Sequence, residues 1–106
     1  MNKADDIYGK AHLPEKCICA AIWVNDGEKR EHLPRNLKTG IVFAGWRHHN
    51  CFTPMVLLPE WKKFKHTQGF LTSKGNFVDR REGGKVAFNA GQIDEENECL
   101  FSEDLY

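Results

Sequence analysis

Gly69-Phe-Leu-Thr-Ser-Lys-Gly-Asn-Phe-Val-Asp-Arg-Arg-Glu82 carries two structural signals in succession. Phe70 and Leu71 make one apolar pair, Phe77 and Val78 a second, and Ser73-Lys74-Gly75-Asn76 lies between them. Two apolar arms joined by a polar, glycine-containing turn read as a β-hairpin. Asp79 follows at once, and Asp79-Arg80-Arg81-Glu82 has the spacing of a capping box, which closes the first turn of a helix. Val86, Ala87 and Ala90 supply an inward face with Phe88 beside it, and Gly91 ends the helix as a left-handed stop. Gly83 and Gly84 fall inside that helix, where each costs about 1 kcal/mol relative to alanine. Either a neighbour approaches closely there, or the first turn is simply slack.

Upstream, Gly40-Ile-Val-Phe-Ala-Gly-Trp-Arg-His-His-Asn-Cys51 is an apolar run that stops at four polar side chains. Its apolar part reads as a buried, central strand, which would deliver Arg47, His48, His49 and Asn50 to the rim of the core. Cys17–Val24 reads as the first strand. Asn25-Asp26-Gly27 is then expected to turn the chain tightly, and residues 28–32 to return as a polar edge strand or a loop. Thr53-Pro54 can start a short turn over 53–57. Met55, Leu58, Trp61 and Phe64 form a one-sided stripe, and the spacing predicts a helix from about Pro59 to His66. Leu100 with Phe101, and Leu105 with Tyr106, look like two anchors for the C-terminal segment. The sum is a small α+β fold, a mainly antiparallel sheet of four or five strands with two helices on one face. Residues 1–14 read as a loose lead-in and 15–106 as a single domain.

Composition narrows the function. Formal net charge is zero over 106 residues and the sequence pI is about 7.0. A protein that tracks a nucleic-acid backbone would be basic, so long nucleic acid is not an expected partner. Charge is uneven, however: residues 46–85 hold eight Lys/Arg against three acids, and residues 94–106 hold six acids with no Lys/Arg. That is either a solvated acidic tail balancing a basic face or a local basic pocket for a small anion. The polar, acidic start has no apolar region behind it, so neither a secretory signal nor a membrane span is expected, and the cytoplasm is the default compartment. Four cysteines without a secretory signal read as reduced thiols. Cys17, Cys19, His48, His49, Cys51 and Cys99 match no standard zinc spacing, so neither a metal nor a cofactor is expected.

Three further blocks look familiar together: Gln68 to Glu82, then Ala90-Gly-Gln-Ile93, then Leu100-Phe-Ser-Glu-Asp-Leu-Tyr106. With Gly45-Trp-Arg-His48 upstream, they resemble a group of small phage and prophage proteins. The resemblance covers roughly residues 40–106 and departs at Gly83-Gly84, where alanine-like residues are usual. It implies an accessory phage gene acting in the bacterial cytoplasm, and by analogy of genomic setting an anti-defence role.

For a phosphate-bearing ligand the chain offers Arg47, whose planar fork suits a phosphate better than lysine. His48 and His49 would lie on opposite faces if the strand continued. Asn50 stands next to them. Arg80 and Arg81 stand at the start of a helix, an end that favours anions, although Asp79 partly occupies it. Trp46, with Trp61, Phe70 and Phe77, could stack on a base. Each has a structural alternative: Trp46, Phe70 and Phe77 as core, Arg80 and Arg81 as a solvated turn, Arg47 paired with Glu82 or a tail acid. The expected function is a binder that sequesters a nucleotide-derived immune signal, a cyclic nucleotide or an ADP-ribose derivative, without turning it over. The expected assembly is a homodimer or higher homo-oligomer, since so small a chain has little interior for a ligand. One alternative is a metal-independent phosphodiesterase using His48 and His49 with Arg47 and either Asp79 or Glu103. No recognised catalytic motif accompanies them. The other is a protein inhibitor of a host enzyme that docks through the acidic C-terminus.

Overall fold

A computed structural model describes residues 14–58 and 60–106. The lead-in expected at residues 1–14 therefore lies outside the described residues except for Pro14. Four strands form one antiparallel sheet: β1 (Cys17–Lys29), β2 (Thr39–Gly45), β3 (Lys65–Thr72) and β4 (Phe77–Asp79). Their spatial order is β2-β1-β3-β4. Two helices accompany them, α1 (His48–Phe52) and α2 (Arg80–Asn89), with 3₁₀ turns at Pro54–Leu57, Trp61–Lys63 and Ser102–Asp104. This is the α+β architecture expected.

Register places both helices on the same face. Ala20 stands opposite Gly45 on one side and Phe70 on the other, and Phe70 stands opposite Val78. Directly opposed residues share a face of the sheet. Ile22, Val24 and Phe43 pack under Cys51 of α1 and Met55 of the turn that follows it, with Ala20 in the same cluster. Phe70 and Val78 pack under Ala87 of α2, together with Cys17 and Leu100. The other face carries Ala21 and Trp23, with Trp23 against Phe77 at 6.2 Å between ring centroids.

The hairpin and α2 form as read. Thr72 N–H donates to Asn76 O across the turn, and Asp79 accepts from Glu82 N–H at 2.8 Å as the cap. Gly91 adopts a left-handed φ of 75°. Gly83 and Gly84 are sites of close approach. A Cβ on Gly84 would overlap the carbonyl oxygen of Asn97, and one on Gly83 would stand 3.0 Å from Phe70 Cδ2.

Other expectations are corrected. Asn25-Asp26-Gly27 does not reverse the chain; β1 runs through it to Lys29 with a shift of register between Val24 and Lys29. The Asn25 and Asp26 side chains accept from Gly27 N–H and Glu28 N–H, and Gly27 takes a φ of 80°. Those local bonds satisfy the amides of a bulge, so the strand bends and continues. Residues 28–32 accordingly form no strand of their own, and the reversal happens over 30–38.

The helix expected from Pro59 to His66 is also absent. Pro59 itself lies outside the described residues, Trp61–Lys63 makes one 3₁₀ turn, and Lys65 already begins β3. The length of β1 explains this, because Ile22 to Asn25 pair with Gln68 to Lys65 and need their backbone groups satisfied. The turn expected over 53–57 does form. Finally, β2 is an edge strand rather than a central one, and the continuous apolar run belongs to β1.

Gly84→Ala should destabilise the protein by roughly 1–3 kcal/mol, the usual range for forced overpacking, despite alanine's better helix propensity. Gly83→Ala should cost less, because an aromatic ring edge yields more easily than a backbone carbonyl. Thermal unfolding of the two variants side by side checks the order.

Candidate functional site

The strand β2 ends at Gly45 and the chain turns over the helix-bearing face of the sheet. Arg47 occupies the N-cap of α1, in extended conformation. Its N–H donates to Asn50 Oδ1 at 3.0 Å, and Asn50 N–H returns a bond to Arg47 O at 3.0 Å. Asn50 therefore fixes the start of α1 with its side chain, and Cys51 Sγ adds a weak donor to Arg47 O. This short helix, not a continuing strand, sets the two histidines on different sides: His48 is buried at 7% exposure and His49 is exposed.

His48 reaches across to β3. Its Nε2 lies 2.8 Å from Gly69 O, and its ring meets Phe70 edge-on at 5.1 Å. A carbonyl oxygen can only accept, so Nε2 carries the proton and Nδ1 is left with its lone pair. Burial is the largest cause pushing the His48 pKa below its ordinary 6.5, and the charge of Arg80 pushes the same way. The bond to Gly69 and the charge of Glu103 oppose them without reversing the direction. His48 is neutral at pH 7.

Arg80, the first residue of α2, comes in from the opposite edge. One terminal nitrogen donates to Gln68 Oε1 at 2.8 Å, and the guanidinium lies over Phe101 at 4.5 Å. Arg47 is placed comparably, over the ring of Tyr106 at 5.0 Å. Tyr106 in turn packs against Trp46 at 4.2 Å between centroids and donates its hydroxyl to Trp46 O. Glu103 approaches Arg47 Nη1 to 3.8 Å, an ion pair too long to be a hydrogen bond. Two guanidinium atoms, Arg47 Nη1 and Arg80 Nε, are buried and donate to no acceptor in the protein. A buried donor without a partner costs about 1–3 kcal/mol.

The structure thus brings Arg47, His48 and Arg80 into one neighbourhood with Asn50 and Trp46 at its margin. It does not bring in Arg81 or His49. Arg81 lies with Lys85, Glu96, Asn97 and Glu98 along a shallow groove outside this cluster. Trp46, also read as core, is 64% exposed. Phe70 and Phe77, by contrast, are buried. Arg47 has its acid in the C-terminal segment, as one reading allowed, and that acid is Glu103 rather than Glu82. Gln68 and the Gly69 carbonyl were missed, and nothing in their spacing marks them. The Phe101 and Tyr106 rings were read only as anchors, although their place in the Leu100–Tyr106 block was the available signal.

The family model described as the phage T4 y16D protein matches residues 16–106. The chain belongs to that family. Membership in the phage T4 y16D family supports a phage accessory protein, in keeping with the resemblance. The match spans every residue of the Arg47, His48 and Arg80 cluster. No curated protein and no solved structure matches the chain.

The cysteines remain outside this chemistry. All four are free thiols, and burial pushes Cys17 up to about 12 and Cys51 up to about 11. Among the described residues no group of three His, Cys, Asp or Glu side chains is placed to hold a metal ion. None of the described helices is long and apolar enough to cross a membrane.

The lowered His48 pKa has a sign. Below the unfolded value near 6.5 the unfolded chain takes up a proton that the folded chain resists, so folded stability falls as pH drops from there toward the folded pKa. Well above 6.5 both states are neutral and the full contribution is present. Melting temperature should therefore decline as pH falls below about 6.5, and His48→Gln should flatten that decline. The lowered carboxylates, Glu15 and Glu103, act below their ordinary 4.5 and leave this window clear.

Proposed function

We propose that this phage accessory protein binds and sequesters a small phosphate-bearing nucleotide signal of the host, a cyclic nucleotide or an ADP-ribose derivative, without turning it over. The observation that carries the reading is the pair of buried guanidinium atoms without acceptors, Arg47 Nη1 and Arg80 Nε, around a neutral histidine. Arginine is the side chain suited to phosphate in a partly dry site, because its donors form a rigid fork. Both guanidiniums lie over aromatic rings, contacts that help to hold them without consuming their N–H donors. A phosphate entering there accepts from both arginines and replaces the long Glu103 contact.

Trp46 adds the second half of a nucleotide. It is largely exposed, braced by Tyr106 and adjacent in sequence to Arg47, so it offers a base a flat apolar platform. The catalytic alternative needs two histidines on one bond, and here one ring is buried while the other stands in solvent. The family's phage setting supports a role against host signalling, and the zero net charge fits a small anion better than a polymer.

The test is a thermal-shift panel of cyclic nucleotides and ADP-ribose derivatives. A true ligand at about 100-fold its Kd should add about 2.7 kcal/mol. In a chain of this size that is a rise on the order of 10 °C. Arg47→Ala should abolish the shift while moving the unliganded melting point little, and Arg47→Lys should weaken binding by keeping charge but losing the fork. Ligand released by heat should be intact by mass spectrometry. Release of a cleaved product would make the protein an enzyme, and no shift with any compound would move the search to a host protein partner.

A further inference from the structure

We infer that the outer edge of β2 is the docking site for a second copy of this chain, strand against antiparallel strand. The two ends of the sheet are treated differently. At the β4 end, Asn36 clamps the strand from outside: its side chain donates to Phe77 O at 2.5 Å and accepts from Phe77 N–H at 2.8 Å. Arg35 N–H adds a bond to Gly75 O. That edge is three residues long and covered. At the other end β2 pairs only with β1; among the described residues Thr39 O accepts from Trp23 Nε1 at 2.9 Å, and from Ile41 to Gly45 the outer backbone groups meet no second strand.

Proteins ordinarily blunt a free edge with charge, proline or a bulge. Thr39-Gly-Ile-Val-Phe-Ala-Gly45 has no charged residue and no proline, and from Ile41 to Gly45 its register with β1 is unbroken. The 3₁₀ turn at Pro54–Leu57 packs over this end of the sheet through Met55 against Phe43, with Ile41 alongside. Its Val56 and Leu57 are 71% and 83% exposed, an apolar rim beside the free edge.

The occupant is a second copy for reasons of symmetry and charge. An antiparallel pairing that uses the whole of β2 is centred on Val42 and is its own complement under a two-fold axis. β2 itself carries no charge, so the paired strands set no like charges directly opposite one another. The product is a single sheet continuous across both copies. In that register position 38 of one copy stands opposite position 46 of the other, so Lys38 would extend toward the partner's end of β2, beside Trp46 and Arg47. The inference does not rest on the nucleotide reading.

Light scattering on the full chain over a dilution series is the test. The expected mass is twice 12.2 kDa. Val42 faces itself in the paired strands, so Val42→Lys and Val42→Glu should each be monomeric, and an equal mixture of the two should recover the dimer. Circular dichroism confirms that each variant is folded, and Ala44→Lys, at an exposed position of the same edge, replaces any variant that is not. A wild-type mass of 12.2 kDa throughout, or variants that stay dimeric alone, would overturn the assignment.

Discussion

The arrangement depends on a contact that no side chain could occupy. Where Gly84 turns toward the C-terminal segment, the carbonyl of Asn97 fills the volume a Cβ would need. That approach lets residues 97–106 lie against α2 and the sheet. Leu100 then enters the core completely and donates its N–H to Arg80 O. From that fixed point the 3₁₀ turn at Ser102–Asp104 is closed by Asp104, which accepts from Phe101 N–H, and Tyr106 is carried back to Trp46. Phe101, Glu103 and Tyr106 reach the two arginines only because the segment is tied at Gly84 and Leu100. Two glycines inside a ten-residue helix weaken it locally, and the burial they permit offsets that weakness.

Around the arginines the electrostatics are one-sided. Two guanidiniums and a buried histidine share the area, with one carboxylate, Glu103, among them. His48 resolves the crowding by staying neutral, which burial and Arg80 both favour. It remains useful to the fold in that form, because Nε2–H ties α1 to β3 through Gly69. The imidazole thus joins the two halves of the core without adding a third positive charge. Arg47 and Arg80 retain theirs, each guanidinium carbon lying over an aromatic ring.

Much of this was legible in the sequence where a local rule decides the outcome. The hairpin, the Asp79 cap and the Gly91 stop all depend on residues within a few positions of one another, and all form as read. Expectations failed where a distant partner decides. Asn25-Asp26-Gly27 has strong turn chemistry, yet β1 continues because strands on both its sides extend past Val24. The Met55 to Phe64 stripe fits a helix, yet the unpaired length of β1 draws Lys65 onward into β3. At the site, the sequence marked Arg47 and His48 by their abrupt appearance after an apolar run. It held no sign that His48 would bond Gly69, or that Arg80 and Arg81 would part company. Adjacent arginines at the start of a helix point about 100° apart, and only tertiary packing chooses which of them faces inward.

The position of Glu103 bears on how such a site works. Its carboxylate is 67% exposed and stands 3.8 Å from Arg47, beyond hydrogen-bond distance, so water screens it and the contact is weak. The arginines lose little when that carboxylate moves aside, and they do not depend on it for their placement, which comes from Tyr106, Phe101 and Gln68. On the proposed function a phosphate exchanges a weak, exposed counter-charge for charge-assisted hydrogen bonds to donors that have no acceptor within the protein. A carboxylate buried between the two arginines would instead satisfy both guanidiniums within the fold and leave them no free donor.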